Sequence, residues 1–112
     1  MKLLNAFSLN MLSSSATIEA DMISSEDAVK FLKNGFESGV GHADTARLYS
    51  NILGMKVNPN RISVNLHSGE EVIIGQYRGP RLPEGATELP EGASITWYHV
   101  TITTWNDRGE LQ

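Results

Sequence analysis

Thr17-Ile18-Glu19-Ala20-Asp21-Met22-Ile23-Ser24-Ser25-Glu26-Asp27-Ala28-Val29-Lys30-Phe31-Leu32 changes its hydrophobic period partway along. Up to Ile23 apolar and polar residues alternate weakly, as in a strand with one buried face. Beyond it Val29, Leu32 and Phe36 recur at helical spacing, with Ala28 and Phe31 widening the stripe. Ser24 stands at the junction. Its hydroxyl can cap the free amides of a helix start, and Glu26 and Asp27 favour the positive end of the helix dipole. A strand running straight into an amphipathic helix predicts a sheet with helices packed on it.

The same two periods recur on either side. Lys2 to Ala6 reads as a short strand, and Phe7 to Ser15, with its serine cluster, as a loop. The first helix weakens towards Gly35 and Gly39. A second helix begins around His42 and runs through Leu53, with Ala46, Tyr49 and Leu53 as its stripe and Gly54 as a left-handed stop. Ile62 to Leu66 alternates cleanly, His67-Ser68-Gly69-Glu70 reads as a turn, and Glu71 to Tyr77 as the returning strand of a hairpin. Ile95 to Trp105, β-branched and aromatic, is a long final strand, followed by a polar, frayed tail from Asn106 to Gln112. Between the last two strands lies a loop, Gly79 to Ala93. In it Leu82-Pro83-Glu84-Gly85-Ala86 recurs as Leu89-Pro90-Glu91-Gly92-Ala93. One repeat of five residues is too short for a solenoid unit and reads as a duplicated loop segment. The expectation is α/β: one domain spanning 1–112, with a mixed central sheet of about five strands flanked by helices.

Composition narrows the function. The 112 residues suffice for one domain, and 40% hydrophobic with 20% charged residues is ordinary for a globular chain. Lys and Arg number 9 against 13 Asp and Glu, a formal charge of −4. That balance argues against a nonspecific grip on DNA, yet leaves room for a small anion held by a few arginines. The absence of cysteine excludes disulfides, thiolate metal sites and cysteine nucleophiles. Met1-Lys2-Leu3-Leu4 opens like a signal peptide, but Asn5, Ser8 and Asn10 interrupt the apolar stretch. No run is long enough to span a membrane, so the expectation is a soluble domain in the cytoplasm.

The histidines are His42, His67 and His99, and none has metal-ligand spacing to another histidine or a suitable carboxylate. His67 falls in the predicted turn and His99 in an alternating strand, so structural roles are favoured. His42 follows Gly39-Val40-Gly41, a segment expected to bend tightly into the helix start. Bare amides would then converge beside an imidazole, an arrangement that suits a phosphate. The alternative is a histidine that only caps the helix. Among the arginines, Arg47 falls on a helix and Arg78 at a strand end, where solvation is the default. Arg61 immediately precedes a strand, and Arg81 precedes Leu-Pro-Glu-Gly; both are better placed to meet phosphate. Phe7, flanked by Asn5, Ser8 and Asn10, reads either as a base-contacting loop or as an ordinary turn.

These residues, taken in order, resemble the viral type III anti-CRISPR ring nucleases. The resemblance rests on Asn5-Ala6-Phe7-Ser8-Leu9-Asn10-Met11-Leu12, on Gly41-His42-Ala43-Asp44-Thr45, on the helix ending at Leu53-Gly54, on Asn60-Arg61, on Gln76, and on Arg81-Leu82-Pro83-Glu84-Gly85. It covers residues 1 to about 86; from Thr87 onward the duplicated loop departs from the pattern. The resemblance implies a homodimer that binds cyclic tetra-adenylate and cleaves it without metal or other cofactor, silencing the defence nucleases that this messenger activates. By the same resemblance His42 is the general acid, Arg61 and Arg81 serve phosphate binding or loop closure, and Glu84 positions groups near the reacting ribose or tunes His42. Asn5, Ser8, Asn10, Gln76 and Gly41 line the nucleotide pocket. It also implies the cytoplasm of an infected prokaryotic host. Two other classes remain: a protein that sequesters a cyclic nucleotide without cutting it, and a small protein–protein adaptor.

Overall fold

The computed structural model describes residues 1–104, so the expected frayed tail, and the end of the last strand at Trp105, lie outside the described residues. The elements are β1 (Lys2–Leu4), a 3-10 turn (Leu9–Met11), β2 (Ala16–Ile23), α1 (Ser25–Leu32), β3 (Glu37–Gly39), α2 (Ala43–Leu53), β4 (Glu71–Arg78) and β5 (Ser94–Thr104). The five strands form one sheet in the order β2-β5-β4-β1-β3. β1 lies parallel to both β3 and β4, whereas β5 is antiparallel to β4 and β2. The mixed α/β sheet with two helices is the expected class.

Adjacent residues of β1 serve opposite faces, as the pleat requires. Leu3, Ile73 and Trp97 meet α1 and α2 through Ala28, Leu32, Ala46, Tyr49 and Leu53. Leu4, Val72, Ile74, Val100 and Ile102 form the core of the other face with Leu66. Among the described residues no α-helix covers that second face. Phe7, Met11, Leu12 and Val64 pack there from two irregular segments, which are joined by a bridge between Leu12 and Leu66.

The caps read from sequence are present. The Ser24 hydroxyl accepts the Asp27 N–H at 3.0 Å, and Gly54 closes α2 at φ +67°. Gly75 sits where a Cβ would lie 2.7 Å from both Trp97 and the Tyr49 hydroxyl, so only glycine lets α2 come this close to β4. That approach allows the buried Tyr49 hydroxyl to donate to the Gly75 carbonyl, and burial pushes the phenol well above its ordinary pKa.

Three local expectations are corrected. Residues 62–66 do not form a strand, and no hairpin joins them to β4. Both edges of β4 are taken, by β1 and β5, so no ladder is left for them. Their alternation is instead satisfied by lying over the sheet, with Val64 and Leu66 inward and Ile62, Ser63 and Asn65 exposed. The fifth strand is Glu37–Gly39, in a stretch read as the weakening end of the first helix. α1 stops at Leu32, Gly35 turns at φ +110°, and Phe36 packs on the helical-face core from outside the helix. Finally, the chain does not bend tightly at Gly39 to His42: neither glycine has positive φ, and His42 is extended at φ −123°, ψ 134°.

Candidate functional site

Leu4, Gly39 and Ile74 stand in register, so three parallel strands direct their carboxyl ends to one edge of the sheet. In open α/β sheets that edge is where ligands are commonly bound. Asn5 leaves β1 there, Gly41 and His42 follow β3, and β4 runs on through Gln76 to Arg78. The chain departing from β3 is anchored by an Asn60 N–H that donates to the Val40 carbonyl at 2.7 Å. Asn60 also donates its side-chain amide to the Ser38 carbonyl, at 2.8 Å. These bonds bring Arg61 beside Gly41, its Cγ at ordinary contact distance from where a Cβ would stand.

His42 is the N-cap residue of α2, yet its ring makes no capping bond. It caps α2 through its backbone alone, its carbonyl accepting the Ala46 N–H at 2.9 Å. The imidazole is exposed and lines a cleft of about 460 Å³ with Asp44, Thr45, Tyr77, Gly79, Pro80, Arg81 and Leu82. The other histidines lie away from this cleft. His99 stacks on Phe31 with centroids 4.3 Å apart and meets the Glu71 carboxylate at 2.9 Å; His67 sits exposed in its turn.

Charge sharpens this location. Lys2, Lys30 and Arg47 have carboxylate partners, whereas Lys33, Lys56, Arg61, Arg78 and Arg81 have none among the described residues. Arg61 abuts Gly41, Arg78 ends β4, and Arg81 lines the cleft. Arg81 in the cleft and Arg61 beside Gly41 thus stand without carboxylate partners in a chain of charge −4, and an unpaired guanidinium is a donor suited to an anion. A larger recess, about 590 Å³, lies along α2 between Arg47 and Lys56. It presents no imidazole or carboxylate, so volume alone does not locate chemistry.

The remaining expected residues divide. Gln76 is exposed near the end of β4, and its side-chain amide donates to the Tyr77 carbonyl at 3.3 Å. Glu84 is exposed in the first Leu-Pro-Glu-Gly-Ala turn, two residues beyond Leu82, and does not line the cleft. Ser8 and Asn10 do not line it either. The Ser8 hydroxyl accepts the Asn10 N–H at 3.3 Å and caps the 3-10 turn, while Phe7, half-buried, packs against the core of the second sheet face. Sequence reasoning gave no role of their own to Asp44, whose carboxylate reaches the loop, or to Tyr77, whose hydroxyl donates to the Pro80 carbonyl at 2.5 Å. Asp44 carried a usable signal, an acid in the first turn of α2 two residues after His42.

No helix among the described residues is long and apolar enough to cross a membrane. No curated protein matches the chain. Among solved structures it resembles B116 of Sulfolobus turreted icosahedral virus (STIV), with a TM-score of 0.76 and 30% sequence identity over 89% of this chain and 97% of that one. The model of the STIV B116-like family matches residues 1–96, which include every part of the cleft. The chain therefore belongs to the STIV B116-like family, a family of viral protein.

Proposed function

We propose that this protein is a metal-independent ring nuclease that cleaves cyclic tetra-adenylate and so counters type III CRISPR defence in the host cytoplasm. The observation that carries the reading is one cleft holding an imidazole free of any capping bond and an arginine without a carboxylate partner. A ribose 2′-hydroxyl lies beside its own phosphodiester, so the nucleophile arrives with the substrate. The protein need only hold that hydroxyl in line with the leaving 5′-oxygen, stabilise the phosphorane charge and protonate the departing oxygen. Arg81 and Arg61 supply the positive charge, and the His42 imidazole supplies the proton. Glu84 orients the ribose or the imidazole once the loop has settled on the ring, and Asn5 and Gln76 face the nucleotides at the strand ends. Each cut leaves a 2′,3′-cyclic phosphate.

Cyclic tetra-adenylate has a two-fold axis, and a 112-residue chain offers little room to enclose it alone. Two copies related by the same axis would place two His42 side chains at opposite phosphates, giving two identical linear di-adenylates. Leu9 at 73% and Met22 at 72% exposure leave apolar surface available for such a partner.

The deciding experiment incubates the protein with cyclic tetra-adenylate, with and without EDTA, and resolves the products. Linear di-adenylate forms at the same rate in both. In His42→Ala, single-turnover cleavage falls by about 10²–10⁴-fold while ring binding persists. Intact ring after prolonged incubation, or activity that requires a divalent ion, overturns the reading. Calorimetry that finds one ring per chain overturns the shared site.

A further inference from the structure

The loop that carries Arg81 and Glu84 is fastened to α2 at two points. Asp44 Oδ1 accepts the Gly85 N–H at 3.2 Å, and the Asn51 side-chain amide donates to the Thr87 carbonyl. Asp44 and Asn51 are seven residues apart, two helical turns, and so share one face of α2. Their chemistry matches what they hold: an acceptor-only carboxylate meets an N–H, and an amide donor meets a C=O. Arg47 lies between them on that face and touches the same Asp44 oxygen at 3.3 Å. The guanidinium that reads from sequence as a solvated surface group therefore steadies the carboxylate that steadies the loop. No helix side chain holds the matching Gly92 N–H of the second repeat among the described residues.

We infer that Asp44 and Asn51 are positioning residues, a two-point latch that holds the Gly79–Ala93 loop against α2 so that Arg81 faces a ligand above His42. As to the ligand this rests on the ring-nuclease reading; the latch itself is measurable without one. The Gly85 N–H is held by a charged acceptor, and it is released only when the loop opens. Its exchange with solvent therefore counts openings.

The test follows amide exchange by NMR in the free protein and then ring binding and turnover. In Asp44→Ala the Gly85 amide exchanges roughly tenfold faster, as for a lost hydrogen bond to a charged group, while the Val72 to Ile74 amides keep their rates. Asp44→Asn retains an acceptor and restores most of the protection. Arg47→Ala accelerates Gly85 about twofold, because the pair is exposed. With cyclic tetra-adenylate, Asp44→Ala raises KM about tenfold and changes kcat by less than about threefold, since His42 and Arg81 remain and only the closed population falls. A purely structural role would instead speed the β4 amides together with Gly85. Unchanged Gly85 exchange in both Asp44→Ala and Asn51→Ala overturns the latch whatever the ligand results are. Faster exchange with an unaltered KM overturns its positioning role. Wild-type protein that binds no ring removes the ring-nuclease reading alone, and the exchange result still decides the latch.

Discussion

In the first Leu-Pro-Glu-Gly-Ala repeat the Ala86 N–H donates to the Pro83 carbonyl at 3.1 Å, with Gly85 at φ +79°. In the second the Ala93 N–H donates to Pro90 at 3.0 Å, with Gly92 at φ +81°. Both have the form of a type II turn, whose third residue needs the left-handed region that glycine enters without strain. Their surroundings differ. Arg81 precedes the first repeat and Glu88 the second. Leu82 lines the His42 cleft, whereas Leu89 stands 38% exposed at an apolar recess with Ile52, Ile95 and Trp97. Among the described residues only the first turn is bonded to a side chain of α2. Five residues specify a turn; the charge beside it and the element beneath it specify its use.

Exchanging those charges breaks the comparison most severely. Arg81→Glu gives the first repeat the leader of the second, and ring cleavage is expected to fall by about 10²-fold, as when one donor to a developing oxyanion is lost. Glu88→Arg should leave cleavage within about twofold of wild type, since gains at exposed surface are small. Arg81→Lys should recover only part, because an ammonium lacks the guanidinium fork. Equal responses of the Arg81 and Glu88 variants, measured in single-turnover assays, would erase the distinction between the repeats.

A smaller change tests what the repeats share. Gly85→Ala and Gly92→Ala each force a Cβ into positive φ, at a cost of about 1 kcal/mol in stability and a Tm lower by about 5 °C. Thermal melts should find the two alike, and only Gly85→Ala should also weaken ring binding. A melt that separates them would show that the two turns are not energetically equivalent.

The smallest effect serves as a control far from both repeats. Burial would raise the Glu70 carboxyl, but the Lys2 ammonium at 2.8 Å and the His67 N–H outweigh it and hold its pKa below the ordinary value. A lowered folded-state pKa stabilises the protein fully above the unfolded-state value, and the stabilisation is lost as pH falls through the folded one. Glu70→Gln should therefore lower stability by about 0.5 kcal/mol above pH 5 and by nothing near pH 2, as measured by urea melts at both. Cleavage should not change.

The parts legible in the sequence are those whose physics is local. Ser24 and Gly54 were readable as helix ends because a cap bonds within three or four residues and a left-handed stop concerns one φ. The two turns were readable for the same reason. The alternation at 62–66 was also real, but alternation reports only that one side is buried. It does not say whether the segment pairs in a sheet or lies across it, and the choice was made by β1 and β5 occupying both edges of β4. Glu37–Gly39 becomes a strand because Lys2–Leu4, thirty-five residues earlier, offers it an edge, and no local propensity carries that information.

The candidate site divides along the same line. The sequence by itself determined that His42 opens a helix and that glycine-bearing turns follow Arg81, because capping and turn chemistry act over a few residues. Only the tertiary structure decided that His42 and Arg81 share a cleft and that Asp44 holds Gly85 from forty-one residues away. Those contacts depend on three parallel strands ending at one edge and on α2 packing close enough to reach the loop. Such proximity follows from burying two faces of one sheet at once, a requirement of the whole chain and of no segment within it.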